Sequence, residues 1–67
     1  MKRPKLTPIE HKILKTVVEN NIFMSTREIA LRSGVSWNTA FVYLKRFYNR
    51  GWLSKKTVGK RVYWKIK

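Results

Sequence analysis

The sequence predicts an α+β fold: a three-helix bundle followed by a two-stranded β-hairpin. Three observations predict it. Three windows carry apolar residues at helical spacing, and each opens on a Ser or Thr in position to cap a helix. After Gly51 the apolar period changes from about 3.6 to about 2 residues. Gly59 then falls between two alternating runs, where a hairpin needs its turn. The chain has 67 residues, which allows one domain with a small core. Residues 1–6 read as a basic arm without periodicity, and residues 7–67 as the folded domain.

The first helix starts at Thr7-Pro8-Ile9-Glu10. Thr7 can cap it, Pro8 suits the first helical position, and Glu10 completes a capping box. Ile9, Ile13, Leu14, Val17 and Val18 form its apolar stripe, and Asn20-Asn21 stops it, since Asn tolerates the left-handed conformation. Ile22-Phe23-Met24 reads as an apolar link or a brief strand. Ser25 and Glu28 repeat the capping-box spacing, with Thr26 an alternative cap. The second helix is short, with Ile29, Ala30 and Leu31 expected inward and Arg27 and Arg32 outward. Gly34 ends it, Val35 follows, and Ser36 caps a third helix running from Trp37 to Arg50, with Gly51 as its stop. The inward stripe of that helix is Ala40, Tyr43, Leu44 and Phe47. Residues 52–57 and 61–66 read as the strands, joined by Val58-Gly59-Lys60. Val62, Trp64 and Ile66 share one face of the second strand, and Arg61, Tyr63, Lys65 and Lys67 the other.

Charge narrows the partner. Sixteen Lys and Arg stand against three Glu, a formal net charge of +13. It is unevenly placed: residues 1–28 hold six basic residues and all three acids, while residues 29–67 hold ten basic residues and no acid. Self-repulsion of that size weakens a compact domain, and a polyanion relieves it. Nucleic acid and an anionic membrane surface both qualify; a surface tuned for solubility is the plainer alternative. No apolar run is long enough to span a membrane, and the basic start Met1-Lys2-Arg3-Pro4-Lys5 is not followed by the apolar segment of a signal peptide.

The run Ser25-Thr26-Arg27-Glu28-Ile29-Ala30-Leu31-Arg32-Ser33-Gly34-Val35-Ser36-Trp37-Asn38-Thr39-Ala40 is two helices about a tight glycine turn. It resembles the (S/T)-x-x-(E/D)-(I/L)-A-x-x-x-G-V-S-x-x-T-(V/A) segment of winged helix-turn-helix DNA-binding domains, found in small transcriptional regulators of bacteria, archaea and their viruses. The resemblance continues through Leu44, Phe47, Gly51-Trp52-Leu53 and a basic hairpin, the wing. Each position also has a physical reason. Ala30 lets two helices cross closely, Gly34 permits the turn, Val35 fills the space between the helices, and Ser36 caps the third.

The resemblance implies that the third helix enters the major groove of double-stranded DNA. It assigns contacts to Ser36, Trp37, Asn38, Thr39, Phe41 and Val42, with Lys45 and Arg46 further along. Trp37, Asn38, Phe41, Val42 and Lys45 point away from the inward stripe, in agreement. Asn38 has the amide that pairs with adenine N6 and N7, and Trp37, Phe41 and Val42 can pack on thymine methyl groups. Asn38 is otherwise a solvated first-turn residue. Phe41 and Val42 admit three readings: a binding surface, a core reached by a shifted helix phase, or a subunit contact. Trp37 is unusual in a groove and can instead pack against the sugar-phosphate wall. Lys55, Lys56, Lys60 and Arg61 surround the hairpin, where they can track the backbone or enter a narrow minor groove; a charged edge strand that blocks aggregation is the alternative. Arg27 sits where phosphates meet the second helix. Lys2, Arg3 and Lys5 either reach phosphates or are merely solvated.

Catalytic chemistry is missing. The chain has one His, no Cys and no Asp, so no disulfide, thiolate zinc site or ligand spacing around His11 arises, and no metal or cofactor is expected. No serine has a base in a recognisable motif, and no glycine-rich phosphate loop is present. The expectation is a non-enzyme: a sequence-specific double-stranded DNA-binding protein and transcriptional regulator. The alternatives are an architectural chromosome protein with little sequence preference, a protein-binding adaptor using Trp37, Phe41 and Val42, and an RNA binder. A monomer in solution that pairs on DNA is expected, in the cytoplasm with the nucleoid or in a host cytoplasm if viral.

Overall fold

A computed structural model describes residues 7–67, so the arm over residues 1–6 lies outside the described residues. The element order is α1 (Pro8–Asn20), β1 (Met24–Ser25), α2 (Thr26–Ser33), α3 (Trp37–Asn49), β2 (Leu53–Val58) and β3 (Arg61–Ile66). The three helices and the hairpin stand where the sequence places them, which is the winged helix-turn-helix arrangement. The sheet has one strand more than the expected hairpin. Met24 and Ser25 pair antiparallel with Trp64 and Tyr63, giving the order β1-β3-β2 with β3 in the middle. The apolar link is therefore partly a strand, too short for alternation to declare it.

Local chemistry sets the boundaries. The Thr7 backbone N–H donates to Glu10 Oε1 at 3.0 Å, and the Glu10 N–H donates to Thr7 Oγ1 at 3.2 Å, a complete capping box. Asn21, at φ 47°, closes α1 by donating its N–H to the Val17 carbonyl at 3.2 Å. At α2 only half of the expected box forms. Glu28 N–H donates to Ser25 Oγ at 3.1 Å, but the Glu28 carboxylate turns to Arg32 Nε at 2.8 Å. Gly34, at φ 72°, ends α2 with paired bonds, Val35 N–H to Ala30 O at 3.0 Å and Gly34 N–H to Leu31 O at 3.3 Å. Gly51 ends α3 in the same way: Trp52 N–H donates to Phe47 O at 3.0 Å and Gly51 N–H to Tyr48 O at 2.9 Å. The hairpin turn is two residues long, Gly59-Lys60 between the paired Val58 and Arg61, so Val58 belongs to β2. Gly59 takes a positive φ of 60° and Lys60 does not, the pattern of a two-residue turn with glycine first.

The core is Ile13 and Val17 from α1, Met24, Ile29 and Ala30, Ala40, Leu44 and Phe47 from α3, and Leu53 and Trp64 from the sheet. Trp64 is the largest fully buried side chain, and its indole N–H donates to Thr26 Oγ1 at 2.8 Å. That buried bond ties β3 to the first turn of α2. Three apolar residues expected inward lie outward instead. Leu31 is 71% exposed, because the buried row of α2 is Thr26, Ile29, Ala30 and Ser33, and Leu31 falls nearly opposite it. Ile9 and Val18 flank the buried row of α1 and stay partly exposed. Tyr43, also expected inward, is half-buried at the edge of the core.

Candidate nucleic-acid interface

Ser36 starts the site. Its Oγ accepts from Thr39 N–H at 3.2 Å and donates to Thr39 Oγ1 at 2.9 Å. Both hydroxyls are thus engaged in fixing the first turn of α3. That turn aims the next side chains. With Ala40, Leu44 and Phe47 inward, the opposite face of α3 carries Asn38, Val42, Lys45 and Asn49, at i, i+4, i+7 and i+11, and all four are exposed. Asn49 completes the row, and its spacing from Asn38 and Val42 is the sequence signal for it.

The two flanks of α3 differ. On the sheet side, Trp37 stacks on Phe41 with centroids 5.0 Å apart and planes 11° apart, and Phe41 meets the edge of Trp64 at 6.3 Å. Phe41 is therefore half-buried, packed against the core, rather than turned away from it as expected. The reason is that the sheet covers this flank, and a helical wheel has no knowledge of the sheet. Trp37 remains 50% exposed and Val42 46%. Lys45 Nζ lies 5.6 Å from the Phe41 ring. Arg46 goes to the other flank, 5.3 Å from the Tyr43 ring. There it belongs to the α1 side, apart from Trp37 and Phe41.

A cleft of about 260 Å³ opens between the start of α2, the start of α3 and the wing. Arg27, Trp37, Lys60, Arg61 and Val62 line it with Ser25. This brings together three cations from two distant parts of the sequence, Arg27 and the Lys60-Arg61 pair, around an exposed indole. Lys55 and Lys56 do not join them. Strand alternation sends them to opposite faces of the sheet, with Lys55 Nζ 4.7 Å over the Tyr48 ring of α3 and Lys56 Nζ 5.5 Å over Phe23. The expected ring of charge around the hairpin tip is thus split, with only Lys60 and Arg61 at the tip.

The charges are largely unopposed. No acid occurs after Glu28, and Glu28 is paired with Arg32. The carboxyl of Glu10 is held below its ordinary value of 4.5, chiefly by the Thr7 backbone N–H donating to it, against partial desolvation; the Thr7 hydroxyl, Arg50 and Arg46 add to the lowering. Among the described residues, no three His, Cys, Asp or Glu side chains gather as a metal site demands, and no helix is long and apolar enough to cross a membrane.

Solved structures share this fold. The chain superimposes on the PcaV transcriptional regulator of Streptomyces coelicolor with a TM-score of 0.83 and 21% identity, over 100% of this chain and 49% of that one. The ferric uptake regulator of Francisella tularensis gives a TM-score of 0.80 at 19% identity, over 98% of this chain and 57% of that one. A HOP2 structure describing DNA recognition gives 0.77 at 19% identity, over 88% of this chain and 98% of that one. The chain thus spans about half the length of the two regulators. No curated protein sequence matches significantly. At the level of sequence, the winged helix-turn-helix DNA-binding family, a non-enzymatic one, matches residues 6–54, and the chain belongs to that family.

Proposed function

We propose that this chain is the DNA-reading domain of a transcriptional regulator, acting on double-stranded DNA from the cytoplasm. The exposed face of α3 enters the major groove. Asn38 contacts a base edge through its amide, Val42 packs on a thymine methyl, and Lys45 reaches a base or phosphate beyond them. Trp37 packs on the sugar-phosphate wall. Arg27, Lys60 and Arg61 hold phosphates on either side of the cleft, with the wing tip on the backbone or in the minor groove. Ser36, Thr39 and Phe41 shape the helix and its flank, and Arg46, Lys55 and Lys56 add to the field around it.

The observation that carries this reading is the exposed row Asn38, Val42, Lys45 set beside a cleft of three cations, with no acid on α3 or the wing. Selection of bound duplexes from a random pool at about 150 mM salt tests it, since that salt suppresses purely electrostatic binding. A recovered motif is the expected result. Equal retention of all sequences would instead mark an architectural DNA-binding protein, a reading favoured by the charge of +13. Half-sites spaced by about one helical turn in the motif would show that two copies pair on DNA.

A further inference from the structure

The sheet has a second face, turned away from the helices, whose aromatic side chains duplex reading leaves unused. Trp64 faces the core, so its neighbours Tyr63 and Lys65 leave β3 on the outer side, with Arg61 in line. The strand register sets Lys56 beside Tyr63 from β2 and Ser25 beside it from β1. Phe23, one residue ahead of β1, joins this face. Its ring lies 5.5 Å from Lys56 Nζ and 5.8 Å from Lys65 Nζ, yet stays 41% exposed. A shallow cleft of about 370 Å³ adjoins it, lined by Phe23, Tyr63, Arg61 and Arg32 among others. The acid in that cleft, Glu28, is already paired with Arg32.

Two ammonium groups sharing one exposed ring, with no carboxylate between them, repel each other and gain only a weak cation–π contact each. We propose that this outer face binds single-stranded nucleic acid: an unpaired base stacks on Phe23 beside Tyr63, and Lys56, Lys65 and Arg61 take the phosphates. The lysine ends leave the ring for the phosphates as the base arrives, so one movement serves both contacts. A duplex cannot use the ring, because its base faces are already stacked on one another. An acidic peptide satisfies the lysines but offers the ring no flat partner. A second copy of the chain brings lysine against lysine. Exposed aromatics interleaved with basic residues on an open sheet are the chemistry that holds unpaired nucleotides. This inference shares with the proposed function only the nucleic-acid partner, Arg61 and the charge of Lys56; it does not need α3 in a groove.

The test is fluorescence anisotropy of the full chain with a labelled oligothymidine of about twelve nucleotides, and in parallel with a labelled duplex, at about 150 mM salt. Phe23→Leu keeps an apolar side chain and removes the ring. It should weaken oligothymidine binding about tenfold or more and leave duplex affinity unchanged. Phe23→Trp should restore or tighten it. Asn38→Ala should leave it untouched. A Lys56→Gln/Lys65→Gln double variant, which alters no core residue, should weaken the single strand and flatten its salt dependence. The proposal is overturned if Phe23→Leu, folded by circular dichroism, binds oligothymidine like the parent chain. It is equally overturned if polyglutamate of matched charge competes as well as oligothymidine, or if Phe23 proves to mediate self-association. Loss of a duplex motif with Phe23 dependence intact would sink the regulator reading and leave this one standing.

Discussion

Asn38 is the residue whose replacement separates specificity from affinity. It is exposed on the first turn of α3 and supports nothing in the core. Asn38→Ala should relax preference at one base pair by about 1–3 kcal/mol and leave random duplex affinity intact, as competition binding with single-base variants of the selected site will show. Equal losses on every sequence would remove Asn38 from base reading. Thr26 is the opposite kind of residue, buried and bonded to the core. Thr26→Val strips the acceptor from the Trp64 indole N–H and leaves that donor buried without a partner. Urea unfolding should show a loss of about 1–3 kcal/mol, with m unchanged. Glu10 responds to acid. Its carboxyl titrates lower in the folded state than its ordinary 4.5, so the stabilisation is present above that value and fades as pH falls through the lowered one. Glu10→Gln should therefore lower stability at pH 7 and flatten the acid limb of the stability profile below pH 4.5, read by thermal unfolding across pH.

Among the elements, α2 and α3 with their turn were legible because each boundary rests on one or two residues. Ser36 acts through its own hydroxyl and Gly34 through its own backbone. A Cβ added there meets nothing within 4 Å, so the cost of Gly34→Ala is its φ of 72° alone. We expect a loss of about 1 kcal/mol by chemical denaturation and a smaller loss for Gly34→Asn, which tolerates that conformation better. Other features were not legible, for a common reason. Met24-Ser25 becomes a strand only because β3 arrives from forty residues later in the chain, at Tyr63 and Trp64. Phe41 is drawn inward by that same sheet, while its position on the helical wheel marks it as outward. The Arg27, Trp37, Lys60 and Arg61 cleft joins segments that local pattern cannot relate, although each residue stands out singly by its type. Lys55 and Lys56 were readable as opposite-facing from strand alternation, and the charge count alone obscured it.

For the whole molecule, charge sets the behaviour. If about six phosphates are neutralised, log K falls against log salt with a slope of roughly −5. Lys60→Ala/Arg61→Ala should weaken every duplex alike and flatten that slope by about 2, measured by salt titration. An unchanged slope would place the wing tip away from phosphate. The order of strands has an outcome of a different kind. Because β3 occupies the centre of the sheet and supplies Trp64 to the core, the interior lacks its largest piece until residues 61–66 are made. A polypeptide still being synthesised, with that stretch inside the ribosome, has three helices around a hole and a lone two-residue strand without its mate. It stays open to proteases and chaperones until β3 emerges, and closes in that one step.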